Sequence, residues 1–434
     1  MHRSAYQQLI AWKKSPSRKP LLVQGARQVG KTYLLREFGQ KEYGDCAYFN
    51  FEESSALSSL FESDLNPANV LQALGTYRGR AINAQSTLVF FDEIQTCPRA
   101  LTSLKYFCEQ APQYHVVAAG SLLGVSVGKV SSFPVGKINF LNLYPLSFLE
   151  FLQATGNESL STLLNENVLS APLATLLHEK LLELLRRYLF LGGMPEVVQA
   201  YLKTGDFGAV RTIQKEILKA YERDFSKYTT PTQAVRVAEI WRSIPAHLAR
   251  ENKKFKYSDV RKGGRATQFE SAVEWLRSAG LIYASLNVTT AKLPLAGYEE
   301  HSHFKVYICD CGLLGAMVNI PAESIVLGDT MFCEYNGAFI ENFVATELAR
   351  KNEGTLHYWI SEGIAEVDFL VVQNQMILPL EVKSGLNRNL KSLRLYADKF
   401  KTPRIYRTSP RNYDCHPDFL NIPLYAIGLF PELK

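Results

Sequence analysis

The stretch LLVQGARQVGKTYLL, residues 21–35, decides the fold that this sequence predicts. Its centre, Gly25 to Thr32, has the spacing G-x-x-x-x-G-K-[ST], in which the glycines allow backbone N–H groups to point inward at an anion. The apolar run before it predicts a strand. The run after it predicts a helix, whose N-terminus adds roughly half a positive charge. This strand–loop–helix context favours a loop that binds the phosphates of a nucleotide.

We therefore expect this loop to bind ATP together with Mg²⁺. Lys31 would reach the β- and γ-phosphates, and the Thr32 hydroxyl would ligate the metal. The candidate nucleotide-binding residues are Gly25, Ala26, Arg27, Gln28, Val29, Gly30, Lys31, Thr32 and Tyr33.

An acidic pair follows the apolar run Leu88 to Phe91 in TLVFFDEIQ. A continuous apolar run of this length predicts a buried parallel strand. At its end, Asp92 is expected to hold Mg²⁺ through water, and Glu93 to polarise the attacking water, because phosphoryl transfer depends on positioned charge. The alternative, a solvent-facing acidic pair, loses weight because a phosphate loop precedes it.

Strand and helix patterns alternate through about residue 150, which predicts an α/β fold with a parallel sheet. After the run HVVAA comes Gly120-Ser121, and we expect Ser121 to sense the γ-phosphate, with a simple turn as the alternative. The predicted strands are 20–24, 46–51, 87–91, 115–119 and 138–143.

The composition indicates a soluble globular protein. The 434 residues are 47% hydrophobic and 21% charged, and no apolar run approaches the roughly 20 residues of a membrane helix. The seven cysteines contain no CxxC pair, which indicates neither a zinc finger nor a disulfide framework. We expect a cytoplasmic protein without membrane contact. The net charge of +6 permits a nucleic-acid partner but does not require one.

Several runs resemble a widespread prokaryotic family of AAA-type ATPases that carry a C-terminal domain of unknown function related to restriction-endonuclease folds. They are GARQVGKT, FFDEIQ, AAGSLL, LYPLSFLEF, LGGMPEVV, AYERDFSKY, FKVYICDCGLL, FIENFVATEL and EVDFLVVQNQMILPLEVKSG, and they cover nearly the whole chain. The resemblance implies an ATPase core (1–150), a helical lid (151–230), a winged-helix segment (231–320) and a nuclease-like domain (321–434).

The run Gly192-Gly193-Met194-Pro195 resembles a glycine-proline element in the lids of related ATPases, where the proline packs on adenine. This resemblance implies that Pro195 contacts the nucleotide. The alternative is a helix C-cap at Gly192 followed by a turn. No arginine finger is assigned. Arg186, Arg187 and Arg223 are candidates by residue type alone.

Residues 254–290 carry a helix–turn–helix pattern followed by a strand. Six basic residues concentrate at the start of this segment and immediately before it, and positive charge at this density could neutralise DNA phosphates. A solvated basic face without DNA contact is the alternative. The six are Lys253, Lys254, Lys256, Arg261, Lys262 and Arg265.

The C-terminal region contains Glu341 on a predicted helix, Asp368 in EVDF, and Glu381 with Lys383 in LEVKS. Glu381 and Lys383 share one face of a strand, and a short turn would pair this strand with the one that carries Asp368. Carboxylates this close favour a divalent cation, with Mg²⁺ the natural occupant. The set resembles the PD-(D/E)xK nuclease core, although Glu366-Val367 stands where the signature proline would be.

Two functions from different classes follow. The first is an ATP-dependent switch or motor on nucleic acid, with a candidate metal-dependent nuclease module. The second is a regulatory ATPase that contacts a protein partner through a non-catalytic nuclease-like scaffold, with Asp368, Glu381 and Lys383 in a structural ion pair. A small-molecule kinase is disfavoured, because the lid, the winged helix and the nuclease-like tail have no role in one. These patterns leave the oligomeric state open.

Overall fold

The computed structural model describes residues 1–120, 133–166, 171–250, 253–321, 333–361, 365–385 and 389–432. They group into two compact units. The first, called here the N-terminal unit, contains His2–Tyr144 and Ser278–Gly280. The second, the C-terminal unit, contains Pro145–Arg277 and Leu281–Lys434. Within the described ranges, no helix combines the length and apolarity needed to cross a membrane.

The N-terminal unit is an α/β fold built on a parallel sheet of five strands, in the order β2-β3-β4-β1-β5. The five strands predicted from sequence are confirmed, and their ends move by at most one residue. The strands are β1 (Leu21–Gln24), β2 (Asp45–Asn50), β3 (Thr87–Asp92), β4 (His115–Ala119) and β5 (Asn139–Asn142), and the helices are α1 (Ala5–Lys14), α2 (Lys31–Glu42), α3 (Ser55–Ser63), α4 (Pro67–Tyr77) and α5 (Pro98–Gln110).

Strand β3 lies between two neighbours, and all of its residues are buried. The ring of Phe91 makes edge contacts with Phe51, Phe61 and Phe107, at centroid distances of 5.8, 5.6 and 6.0 Å. Edge-to-face rings of this kind add to the stabilisation that burial provides. This packing holds the end of β3, where Asp92 lies, in a fixed position.

Leucine at helical spacing over residues 145–230 predicts helices, and the C-terminal unit begins with helices. Helix α6 starts with a capping box in which Ser147 and Glu150 satisfy each other's backbone N–H groups. The helices up to residue 317 are α6 (Phe148–Ala154), α7 (Glu158–Glu166), α8 (Thr175–Leu191), α9 (Pro195–Thr204), α10 (Phe207–Tyr228), α11 (Pro231–Leu248), α12 (Tyr257–Val260), α13 (Ala266–Ser278) and α14 (Cys311–Met317).

Helices α11 to α13 are followed by an antiparallel pair, β6 (Ile282–Val288) and β7 (Glu299–Ile308). Residue Lys254 makes an isolated antiparallel bridge with Lys305 of β7. Strand β6 also pairs in parallel with β8 (Thr355–Ile360). The resulting sheet has the order β7-β6-β8-β9, in which β9 is Glu366–Val367. It therefore contains strands from both sides of residue 320, which is the predicted limit of the winged-helix segment.

The sequence pattern from Phe332 onward predicts a helix, two or three strands (355–360, 366–373 and 376–383) and a second helix. The structure contains these elements and adds further strands after them. Helix α15 (Cys333–Lys351) precedes β8, and a break at Asp368 divides the second predicted strand into β9 (Glu366–Val367) and β10 (Phe369–Gln373). The sheet order is β10-β11-β12-β14-β13. The remaining elements are β11 (Met376–Val382), α16 (Lys391–Phe400), β12 (Ile405–Ser409), β13 (Asp414–Cys415) and β14 (Phe419–Pro423).

Candidate nucleotide site and C-terminal carboxylate cluster

The loop between β1 and α2 has the backbone conformation that its glycines predict. Gly25 has a φ of 154° and Gly30 a φ of 92°, values that residues other than glycine rarely adopt. A Cβ atom on Gly25 would lie 2.1 Å from the carbonyl oxygen of Leu143, the residue that follows β5. Helix α2 begins immediately after Gly30, with its N-terminus at the loop.

The other loop residues divide between the interior and the surface. The carbonyl of Val29 accepts a hydrogen bond of 2.9 Å from buried Arg3, which also contacts the carbonyl of Tyr144. Arg3 therefore holds one side of the loop, a role that sequence reasoning missed. Ala26 and Val29 are buried, Arg27 is half-buried, and Gln28 and Tyr33 are exposed.

The Lys31 ammonium folds back over the loop. It donates to the carbonyl oxygens of Gly25 and Ala26 at 3.0 and 2.8 Å. Burial lowers the pKa of Lys31 to about 8, against the opposing charges of Glu93 and Asp92. The two carbonyl oxygens that accept from this ammonium are acceptors that phosphate oxygens can replace.

Asp92 lies at the end of β3 and meets Thr32 across the loop. The Thr32 hydroxyl donates to Asp92 Oδ2 at 2.8 Å, and the Tyr48 hydroxyl donates to the same oxygen at 3.0 Å. A hydroxyl beside a carboxylate is an oxygen donor set that suits Mg²⁺, so these residues fit the implied metal. Tyr48, on β2, was missed. Its strand alternates half-buried and buried positions, which does not single out a polar contact.

Glu93 follows Asp92 and has a φ of 51°, an uncommon value for a residue other than glycine. Its Oε2 atom accepts a hydrogen bond of 2.5 Å from Gln95 Nε2. Gln95 thus orients the residue predicted to polarise water. In the run FFDEIQ, Gln95 stands two residues after Glu93, but sequence reasoning assigned no role to it. Ser121, the expected phosphate sensor, lies outside the described residues.

The turn before α9 is held by a buried carboxylate. Asp310 accepts from the backbone N–H groups of Gly193 at 2.6 Å and Leu313 at 2.9 Å. A Cβ atom on Gly193 would lie 2.1 Å from the carbonyl oxygen of Leu146. Gly192 caps α8 and Pro195 opens α9, so the helix-cap alternative describes the local geometry. The adenine contact of Pro195 stays a prediction.

The three arginines considered for a finger are on helices of the C-terminal unit. Arg187 pairs with Glu183 one helical turn away, at 2.5 Å, while Arg186 and Arg223 are exposed. Such surface pairs contribute little to stability, and nothing in these contacts assigns a catalytic role.

The predicted basic face is smaller than its sequence suggests. Lys253 forms an ion pair with Glu341, and Arg261 pairs with Glu239. Lys256, Lys262 and Arg265 have exposed side chains. The exposed cations closest in sequence therefore lie in the turn between α12 and α13.

Around Glu341 the structure brings together charges from distant parts of the chain. Lys305 Nζ lies 3.2 Å from Glu341 Oε1 and 3.6 Å from Asp368 Oδ1, and it also pairs with Glu366. Burial raises the pKa of Glu341, but the charges of Lys305 and Lys253 outweigh this and lower it to about 2. We call Lys305, Glu341, Glu366 and Asp368 the C-terminal carboxylate cluster.

Glu381 makes a separate ion pair with Lys383, as their shared strand face predicts. Its Oε2 atom is buried, with no hydrogen-bond partner among the described residues. The backbone N–H of Val382 donates to Asp368 Oδ2 at 2.8 Å, so Asp368 and Glu381 lie on adjacent strands as expected. Across the described ranges, no three His, Cys, Asp or Glu side chains are grouped to hold a metal ion.

Sequence reasoning missed Lys305 and Glu366 as members of this cluster. A signal existed for Lys305, because it is the one charged residue in FKVYI, a run that otherwise predicts a buried strand. A lysine in such a position is normally paired. Its partners are not predictable from the run.

Models of three protein families match the chain. Residues 17–152 match the AAA domain, residues 182–324 a domain of unknown function (DUF8612), and residues 336–425 another domain of unknown function (DUF4143). The segment 17–152 is therefore similar to AAA-type ATPase domains. This family implies ATP binding, usually with Mg²⁺.

Solved structures also show similarity to the chain. A Walker-type ATPase of Pyrococcus abyssi is 18% identical, with 73% of this chain and 95% of that one covered and a TM-score of 0.46. The Orc1 protein of Aeropyrum pernix, solved in complex with DNA, is 14% identical, with 74% and 94% covered and a TM-score of 0.27. Cdc6p from Pyrobaculum aerophilum is 13% identical, with 74% and 93% covered and a TM-score of 0.25. No curated protein matches the chain.

Proposed function

We propose that the chain is a Mg²⁺-dependent ATP hydrolase that works as a nucleotide-controlled switch or motor on nucleic acid. The observation that carries the ATP chemistry is the contact of Thr32 Oγ1 with Asp92 Oδ2, at 2.8 Å, beside the ammonium of Lys31. Thr32 and Asp92 would hold Mg²⁺, which supplies positive charge against the triphosphate.

The residues around this pair divide the remaining work. Lys31 exchanges its two loop carbonyls for phosphate oxygens and neutralises charge that develops on the γ-phosphate. Glu93, oriented by Gln95, polarises the attacking water. The roles expected of Pro195 and Ser121, contact with adenine and sensing of the γ-phosphate, stay predictions.

The direct test is ATP turnover with and without duplex DNA. We expect Lys31→Ala to lower turnover by roughly a hundredfold or more, because an electrostatic contact to the transition state is lost. Lys41→Ala, which removes an exposed lysine from the same helix, is the matched control and should keep wild-type turnover. Equal turnover in Lys31→Ala and wild type would contradict the site. Stimulation by DNA supports action on nucleic acid.

A second candidate function is supported by a separate observation. In a regulatory ATPase that contacts a protein partner, the C-terminal module would be a docking scaffold, and the pairing of Glu341 with Lys305 and Lys253 favours this role over a metal-dependent nuclease. Incubation with supercoiled plasmid and Mg²⁺ or Mn²⁺ separates the two. Nicking that is lost in Asp368→Ala supports the nuclease, whereas no nicking supports the scaffold.

A further inference from the structure

One buried ammonium lies among three carboxylates in the C-terminal carboxylate cluster. The Lys305 side chain, on β7, is 1% exposed. Its Nζ atom lies 3.2 Å from Glu341 Oε1 and 3.6 Å from Asp368 Oδ1, and it pairs with Glu366. A buried charge is tolerated only when it is paired, and here one cation serves carboxylates from α15, β9 and the break before β10.

The oxygens of Glu341 and Asp368, two of the three carboxylates predicted to bind a metal, already have protein donors. Glu341 Oε1 also accepts a hydrogen bond of 2.6 Å from Tyr307, and its Oε2 is paired with Lys253. Asp368 Oδ2 accepts from the N–H of Val382, which leaves Oδ1 facing Lys305. A divalent ion at these oxygens would have to displace an ammonium or lie beside it, and like charges at this distance repel strongly.

We propose that Lys305 is the resident cation of the Glu341–Glu366–Asp368 cluster and takes the place of the divalent metal that the PD-(D/E)xK resemblance implies. The residues present do not fit that metal. The ammonium instead joins β7 to α15 and to the strands around Asp368. Nucleotide chemistry plays no part in this inference, so its failure and the failure of the ATPase proposal are separate outcomes.

The test measures Mn²⁺ binding to the nucleotide-free chain. Binding is monitored as the loss of the electron paramagnetic resonance signal of free Mn²⁺. Wild type and Asp368→Asn should bind Mn²⁺ equally, because Asp368 is engaged by Lys305. In Lys305→Met, Glu366 and Asp368 lose their paired ammonium while Glu341 keeps its pair with Lys253, and we expect Mn²⁺ affinity to rise by about tenfold or more. Adding Asp368→Asn to Lys305→Met should abolish the gain. Lys292→Met, which removes an exposed lysine, is the matched control and should behave as wild type.

Two results would overturn the proposal. One is Mn²⁺ binding by wild type that is lost in Asp368→Asn, which shows that the metal is accepted with Lys305 in place. The other is a folded Lys305→Met variant without any gain in Mn²⁺ affinity.

A stability measurement keeps the test decisive if Lys305→Met is unstable. In Lys305→Met/Glu341→Gln a lost ammonium is matched by a lost carboxylate, so this double variant should unfold at a higher temperature than Lys305→Met. Equal or lower thermal stability of the double variant would contradict the assigned charge balance.

Discussion

Gly25 shows how one residue type determines the phosphate loop. Its φ of 154° is strained for any residue with a Cβ atom, and the Leu143 carbonyl oxygen would lie 2.1 Å from that atom. Both constraints act through backbone, which cannot move aside as a flexible side chain can. The loop therefore requires glycine here for conformation and for space together.

We expect Gly25→Ala to lower the free energy of unfolding by roughly 2–3 kcal/mol, from backbone strain and overlap. Mg·ATP affinity should fall at least about tenfold, because a displaced loop no longer directs its N–H groups at phosphate. Urea denaturation and titration calorimetry measure the two effects. The control is Gly44→Ala, at an exposed glycine whose added Cβ would find its nearest neighbour at 3.7 Å. If both variants bind Mg·ATP equally, the loop tolerates the side chain.

At the scale of elements, the turn between α12 and α13 places two exposed cations of the basic segment three residues apart. Lys262 and Arg265 are exposed, whereas Lys253 and Arg261 are held by carboxylates of the same unit. A cation paired within the protein must break that pair before it can contact a phosphate. The turn is consequently a better place to test contact with DNA than Lys253, which is paired with Glu341.

We expect Lys262→Ala/Arg265→Ala to weaken duplex DNA binding and to reduce the slope of log affinity against log salt by about 2, since each lost phosphate contact accounts for about 0.9. Fluorescence anisotropy over a series of salt concentrations measures both. Lys203→Ala/Lys215→Ala removes the same charge from exposed positions on α9 and α10 and serves as the control. Identical slopes for the two double variants would argue against DNA contact at the turn.

On the scale of the whole molecule, the described residues form two compact units, and the predicted ATP-binding loop lies in the N-terminal unit. Each unit has its own buried core, such as the cluster around Phe91 in the first and the one around Trp359 in the second. Units with separate cores can unfold in separate steps, in which case a single melting temperature does not describe the protein.

Differential scanning calorimetry should therefore resolve two transitions. Mg·ATP at about a hundred times its dissociation constant should stabilise the N-terminal unit by about 2.7 kcal/mol, because ligand binds only its folded form. The other transition should move much less, and Lys31→Ala should show no shift from ligand. One transition that moves as a whole would mean that the two units unfold together.

Local patterns predicted much of this protein. The spacing from Gly25 to Thr32 lies within one strand–loop–helix segment, and the strands of the parallel sheet follow from apolar runs bounded by turns. The shared face of Glu381 and Lys383 follows from the period of a strand. In each case the interacting residues are close in sequence, so the spacing itself carries the geometry.

Tertiary structure alone decided the contacts between distant residues. Thr32 and Asp92 are separated by 60 positions, and only the parallel pairing of the central strands makes their 2.8 Å contact. Glu341 is separated from Lys305 by 36 positions and from Lys253 by 88. A sequence pattern can place a lysine in a buried strand, but which carboxylates surround it depends on how strands and helices pack, because that packing is fixed by contacts across the fold.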